Sequence, residues 1–405
     1  MLLTVVVAIV VLVFVIESLL DYLNQSRAHA PIPAEVAHLY DEKERSTSIN
    51  YGYEKYRLGL ISSSLMTAVT ILALTQGWLA ALDSWVRGFT SNTVLLSLIF
   101  LAALSVISSA LELPFNLYSI FSIEERFGFN KVTPRTFLLD LIKGTLVSVV
   151  VAGPVLALII WLYVNFAEKF WLYGWLLVAA FSLFTFMFGT RLILPLFNKL
   201  TPLPEGELKT AITEYCQSQG YSLTRLFVMD GSKRSTKANA FFSGLGRSKM
   251  IVLFDTLVEK LTTKEVVGVL AHEIGHYKRK HTLAMFIMSI LQTLAIFALL
   301  GWLLQYEQLS TALGAEQSSF HLSAITFFIL LGPLNLLLGL LNNSLSRKNE
   351  FDADQFGKIT YSAKEMRTAL EKTAKDSLAN LTPHPAYVAF NYTHPPLAER
   401  LRALL

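Results

Sequence analysis

The sequence predicts a predominantly α-helical, multi-pass membrane protein with about seven transmembrane helices and a zincin-like catalytic part that contains a small β-sheet. Three observations lead there. Of the 405 residues, 53% are hydrophobic and only 16% are charged, where a soluble domain carries about 25% charged residues; mean hydropathy is +0.48. Seven stretches, approximately residues 2–20, 58–82, 94–113, 138–164, 171–196, 283–304 and 320–345, reach the roughly 20 apolar residues that a bilayer demands. In Ala271-His272-Glu273-Ile274-Gly275-His276, two imidazoles four residues apart share one helix face, where both reach the same metal ion.

Residues 1–197 read as five transmembrane helices and their loops, which include the cytoplasmic ones. Ala28-His29-Ala30 imitates a signal-peptidase site. However, no Lys or Arg precedes the first apolar run and the Ala-x-Ala lies well beyond its end, so this span is retained. Glu17 within it is costly to place in lipid and is expected to face other helices or water. Residues 25–57 read as a solvated loop with some helix. After the third span, Pro114-Phe115-Asn116-Leu117-Tyr118 and residues 123–131 read either as a charged inner loop or as a gate or brace for the site. Asp140, Lys143 and Arg191, near span ends, are interfacial or line a wet interior.

Residues 198–282 form the largest non-membrane segment. Residues 223–229 read as a strand. Residues 238–243 and 250–254 are apolar runs joined by Gly244-Leu245-Gly246-Arg247-Ser248-Lys249, a hairpin signal. A sheet edge beside a zinc helix can hold an extended peptide by main-chain hydrogen bonds; a hairpin that merely packs on the helix explains the same pattern. Residues 283–345 carry transmembrane helices six and seven. No breaker separates His276 from Leu283, so the zinc helix is expected to run on into the sixth span. Residues 346–405 are helical in pattern, with breaks at Thr382-Pro383-His384-Pro385 and Thr393-His394-Pro395-Pro396.

Basic residues orient the chain. With the N-terminus outside, the outer loops carry only Arg87 and Lys169. The inner loops then carry Arg27, Lys43, Arg45, Lys55, Arg57, Arg126, Lys131, Arg135 and the basic region 199–281. The positive-inside rule places the N-terminus on the outer or lumenal side, and the zinc motif and C-terminus on the cytoplasmic side. A bacterial inner membrane and an endoplasmic reticulum membrane both fit. The net charge of +4 is thus mostly a topology signal, and nothing resembles a nucleic-acid module. Cys216 is the only cysteine, which excludes a disulfide framework and a thiolate zinc site.

The zinc helix has its own start signal. Thr262 is followed three residues later by Glu265, a capping box, and then by Val266, Val267, Val269 and Leu270. Glu273 stands about 100° round the helix from His272, close enough to polarise a metal-bound water. A third ligand is needed. Motifs that place a His six residues on require Gly and His where this chain has Arg279 and Thr282. His281 would lie roughly 140° round a continuous helix from His276, poorly placed as a ligand. Glu350 is the better candidate. With Asp354 it shares a helix face at i, i+4, which suits one ligand carboxylate and one that steadies a ligand imidazole. Two His and one Glu leave a fourth position for water.

The chain resembles the type I CAAX prenyl proteases, integral-membrane zinc endopeptidases with bacterial members. The resemblance covers most of the chain. It rests on Leu113-Pro114-Phe115, Ile123-Glu124-Glu125, Gly128-Phe129-Asn130-Lys131, Pro195-Leu196-Phe197-Asn198-Lys199, Asp230-Gly231-Ser232-Lys233-Arg234-Ser235, Asn239-Ala240-Phe241-Phe242, the zinc helix, Ser346-Arg347 to Asp354, and His394-Pro395-Pro396. It implies seven helices enclosing a water-filled chamber with one zinc per chain at the cytoplasmic end. It further implies zinc ligation by His272, His276 and Glu350, and Glu273 as general base. His394 would assist the substrate carbonyl, and Asn239 and Ala240 would lie on the substrate-binding strand. Asp354 and Arg400 would flank the ligands. The expected partners are a peptide or protein substrate, prenylated or not, and membrane lipid. Lys237 stands where eukaryotic members carry His, and no Lys-rich retrieval signal ends the chain. Three other readings fit the same residues: a quality-control protease of misfolded membrane proteins, a non-proteolytic seven-helix transporter or receptor with a coincidental motif, and a catalytically quiet client-binding partner.

Overall fold

The computed structural model describes residues 1–221, 223, 225–243 and 250–405. The membrane half is built from α1 (Leu2–Ser26), α2 (Glu42–Thr75), α3 (Trp78–Arg87), α4 (Thr93–Tyr118), α5 (Pro134–Val147), α6 (Gly153–Asn165) and α7 (Phe170–Phe197). A π-helical turn, Ser119–Glu124, prolongs α4, and another, Ser148–Ala152, joins α5 and α6 into one span. The second helix is longer and earlier than its apolar stretch implies. An Asp41–Glu44 capping box starts it at Glu42, within the segment read as a loop. Gly77 at φ +70° ends it, and α3 begins as a separate helix.

The remaining chain supplies β1 (Leu200–Pro202), α8 (Glu207–Ser218), β2 (Leu226–Met229), β3 (Ala240–Ser243), β4 (Met250–Phe254), α9 (Asp255–Lys260), α10 (Thr263–Lys278) and α11 (His281–Leu303). It ends with α12 (Gln308–Thr311), α13 (Phe320–Leu330), α14 (Gly332–Gly357), α15 (Ala363–Asp376), α16 (Pro385–Asn391) and α17 (Leu397–Ala403). The sheet order is β1-β2-β4-β3, with β2 parallel to β4 and the outer strands antiparallel. β3 is therefore an edge. The expected β3–β4 pairing is present, while its connection, residues 244–249, lies outside the described residues. β1 went unread because a three-residue Leu-Thr-Pro strand has no period to detect.

One expectation about the last spans needs correction, and the seventh adds a feature that hydropathy does not show. The zinc helix does not continue into the sixth span: α10 ends at Lys278, Lys280 takes φ +59°, and α11 starts at His281. The seventh span is not straight. α13 and α14 meet at a 54° bend, where Gly332 and Pro333 follow Leu331 and the proline has no N–H to continue the ladder. Among the described residues, six helical runs are long and apolar enough to cross a bilayer, and the bent pair, taken as one span, makes a seventh.

The buried apolar clusters of these spans lie mainly near their ends, with a few mid-span contacts such as the Gln292–Asn342 amide pair. At one end, Val6, Leu74, Leu79, Phe100 and Leu322 form one core, and Ile160, Phe170, Phe297 and Phe327 another. At the other, Tyr51, Ile123 and Phe129 pack together. No more than 17% of the apolar 18-residue window of any of the six runs is buried. A solid bundle of helices would bury one stripe of each along its length. Helices walling a chamber, with lipid on one side and the hollow on the other, would show this low burial.

The catalytic half has a conventional core. Ile212, Cys216, Ile251, Leu253, Leu270 and Ile274 are fully buried between the sheet, α8 and α10. The Thr262–Glu265 capping box starts α10 as expected. Its opposite face meets α14 at Gly275, where an added Cβ would come within 3.0 Å of the Ala353 Cα and 3.1 Å of its carbonyl oxygen. Gly275→Val is therefore expected to cost about 1–3 kcal/mol through overpacking and to lower metal content. Thermal unfolding and metal analysis of the detergent-purified protein would check both.

Candidate metal centre

α10 and α14 cross so that His272, His276 and Glu350 offer ligand atoms that all lie within 4.8 Å of one another. The two Nε2 atoms are 3.1 Å apart. His272 Nε2 lies 3.3 Å from Glu350 Oε2, and His276 Nε2 lies 3.2 Å from Oε1. The surroundings fix which ring nitrogens are bare. His272 donates its Nδ1–H to Asp354 Oδ1 at 2.8 Å, because an ionised carboxylate can only accept. Its Nε2 is then a lone pair aimed at a second imidazole and a carboxylate. Glu350 Oε2 is buried and accepts no hydrogen bond. Lone pairs converging this closely repel one another unless a cation sits between them. The donor set of two imidazoles and one carboxylate is that of a catalytic zinc site.

Arg400 on α17 locks the arrangement. It is only 9% exposed and grips Asp354 bidentately, Nε to Oδ2 at 2.8 Å and Nη2 to Oδ1 at 2.7 Å. Its Nη1 stands 3.6 Å from Glu350 Oε2. Asp354 thus receives one imidazole N–H and one guanidinium at the same time.

A cavity of about 180 Å³ opens beside the triad, lined by Asn239, Ala240, His272, Glu273, His394 and Arg400 among others. Of the candidate site residues, Asn239, Ala240, His272, Glu273, Asp354, His394 and Arg400 line this cavity, while His276 and Glu350 complete the triad beside it. Burial pushes the Glu273 carboxyl above the ordinary carboxylate range, opposed by the positive charge that His272 and His276 can carry. His394 places Nε2 3.4 Å from Glu350 Oε1, and its Nδ1 is 2.9 Å from the Thr393 hydroxyl. Asn239 and Ala240 enter the β3 edge, where the Asn239 carbonyl accepts from Phe254 N–H at 3.0 Å and its side chain holds the Ala240 N–H at 2.8 Å.

Two supports were not anticipated, and a third had been one of two readings. His281, dismissed as a ligand on helical geometry, puts Nδ1 3.1 Å from His276 Nδ1. Arg347, one turn before Glu350, donates to the Val388, Ala389 and Tyr392 carbonyls at 2.9, 3.2 and 2.7 Å, holding the turn that leads to His394. Its i, i+3 spacing from Glu350 was the available signal. The loop after the third span acts as a brace: Glu124 accepts from Tyr51 at 2.6 Å and from Lys237 at 3.1 Å. Lys131 and Thr236 add backbone bonds to Arg234 and Phe129.

A coincidental motif would not meet Glu350, Asp354 and Arg400 from two other helices in one buried cluster. Fold and site together define a membrane-spanning metallohydrolase. Comparison with known proteins carries this further. Residues 21–199 match a family described as "CAAX prenyl protease N-terminal, five membrane helices", and residues 202–405 match "Peptidase family M48". The chain is 35% identical to a CAAX prenyl protease 1 homolog of Oryza sativa subsp. japonica, covering 98% of this chain and 96% of that one. It is 33% identical to CAAX prenyl protease 1 of Saccharomyces cerevisiae, covering 96% and 92%. The crystal structure of S. mikatae Ste24p superposes with a TM-score of 0.94 at 31% identity, over 100% of this chain and 99% of that one. The chain belongs to peptidase family M48. It is an integral, multi-pass membrane zinc metallopeptidase.

Asp354→Ala would leave the Arg400 guanidinium and the His272 N–H without their acceptor. Breaking a buried pair this way is expected to cost about 3–5 kcal/mol. Thermal unfolding of metal-free protein measures that cost apart from any change in metal affinity.

Proposed function

We propose that the chain is a single-zinc endopeptidase that removes the C-terminal tripeptide of prenylated CAAX proteins, working at the cytoplasmic mouth of its own chamber. The observation that carries this reading is the shared cavity: His272, Glu273, His394 and the start of the β3 edge at Asn239 and Ala240 all face one space beside the triad. The names of the full-length relatives supply the substrate class, and the distribution of Lys and Arg supports the orientation, with the N-terminus outside.

His272, His276 and Glu350 would hold one zinc, which supplies a Lewis acid that acidifies water and polarises a carbonyl. The substrate lies extended along β3, where the backbone at Asn239 and Ala240 aligns it. Glu273 takes a proton from the attacking water as the oxygen adds to the scissile carbonyl carbon. His394 donates its Nε2–H to the oxygen that gains negative charge, a bond that is strongest in the transition state. Glu273 then returns its proton to the leaving nitrogen as the C–N bond breaks. Arg400 and Asp354 take no part in proton transfer; they fix His272 and exclude a second geometry. The raised affinity of Glu273 for a proton, caused by burial, suits a group that must accept one and release it.

Glu273→Gln is expected to retain fold and about one zinc per chain yet lose activity by roughly 10²–10⁴-fold; near-normal turnover would end this mechanism. The assay compares a farnesylated CAAX peptide with its unprenylated twin. Preference for the farnesylated one supports the substrate class, and zinc-loaded protein that cuts neither points to another substrate. His394→Ala should lower kcat while leaving zinc content unchanged, and parallel loss of both would mark it as structural.

A further inference from the structure

We propose that Lys280 and His281 form a positioning device for the second imidazole of the metal centre: His281 is the acceptor that fixes the His276 ring, and the left-handed turn at Lys280 is what delivers it. The inference rests on the reading of His276 as a ligand and goes beyond it, because neither residue touches the metal position.

The geometry leaves little choice of proton arrangement. His276 turns Nε2 toward Glu350 Oε1, at 3.2 Å, and toward His272 Nε2, at 3.1 Å. A ligand imidazole bound through Nε2 carries its proton on Nδ1. That Nδ1 faces His281 Nδ1 at 3.1 Å, with the rings 75° apart. One nitrogen must donate and the other accept, so His281 Nδ1 is bare and its Nε2 carries the hydrogen. The nearest carboxylate to that Nε2 is Asp352 Oδ2, 3.8 Å away on the same helix as Glu350. Each ligand imidazole then has its own acceptor. His272 has Asp354, and His276 has His281. Metal-bound histidines commonly need such a partner to hold ring orientation and tautomer.

A continuous helix could not provide this contact, since five residues place two side chains roughly 140° apart. The chain breaks the helix instead. Lys280 adopts φ +59° and ψ 25°, and His281 opens α11. Lys280 and Leu378 are the two non-glycine residues with positive φ among the described residues. Strain of this kind persists where surrounding structure demands it. The Lys280 side chain is exposed while His281 is 8% exposed, so the backbone turn, and not the lysine's own packing, is what the site uses.

The test measures zinc affinity by chelator competition on purified full-length protein, with thermal unfolding of the metal-free form alongside. His281→Leu, which removes the acceptor, is expected to weaken zinc binding about 10–100-fold. His281→Gln, which restores an acceptor oxygen, should recover most of that loss. Lys280→Gly should keep wild-type affinity and Lys280→Val, whose β-branched side chain resists the left-handed region, should weaken it. Wild-type affinity in His281→Leu, or equal loss in Leu and Gln variants, would overturn the proposal. Should His281→Leu not fold, the Lys280 pair decides, and equal affinity in those two variants overturns it. A wild type that binds no zinc would instead refute the reading of the triad itself.

Discussion

The contact of α10 with α14 at Gly275 and Ala353 sets the register of the whole metal centre. Gly275 lies between His272 and His276, and Ala353 lies between Glu350 and Asp354. Because no side chain separates the two backbones there, the four functional groups on either side meet at hydrogen-bonding distances. A bulkier residue would move the helices apart along the very line on which ligand atoms must converge. The crossing is then secured from a third direction, as Arg400 binds Asp354 through two nitrogens. A buried ion pair is a weak source of net stability, but its geometry is demanding, and here geometry is the requirement.

The hollow barrel places a different demand on the sequence. With little of each apolar window buried, the spans depend heavily on what closes their ends. At the end remote from the metal, the closure is polar as well as apolar. His321 lies 2.8 Å from Asp83 and 3.0 Å from the Ser97 hydroxyl, and Asp83 also accepts from Arg87 at 2.7 Å. Asp83, Ser97 and His321 are each no more than 3% exposed. These groups join α3, α4 and α13, helices whose apolar contacts alone would permit sliding. At the metal end, Tyr51, Glu124 and Lys237 tie α2 and the turn after α4 to the segment that enters β3.

The sequence discloses the fold to the extent that its signals are local. Hydropathy marks every span, because each needs an unbroken apolar run whatever its neighbours do. The Thr262–Glu265 box marks the start of α10 for the same reason. The ends of α2 and α10 were misjudged because they depend on single backbone conformations, Gly77 and Lys280, that hydropathy does not encode. Lysine has no preference for positive φ, so the turn after α10 carries no compositional mark. The metal triad was readable in part from the i, i+4 spacings on two helices. Its surroundings were not readable from spacing, since Arg400 and His394 arrive from distant segments and were reached only through the family resemblance.

The brace and the barrel together bear on why this peptidase is a membrane protein at all. β3 is an edge strand beside the metal, and the residues leading into it are anchored to the turn after α4 by Glu124 and by backbone bonds from Lys131 and Thr236. The metal helix is coupled to α11 through His281, and Glu350 is carried on the continuation of the seventh span. Each component that must align for hydrolysis is thus fastened to a different membrane helix. A shift among those helices would alter the distance between the β3 edge and the triad before it broke any ligand contact. On the proposed function, these helices are the frame that would set the gap between bound peptide and metal. A soluble fragment containing the zinc motif would keep α10 but lose Glu350, the brace and the frame.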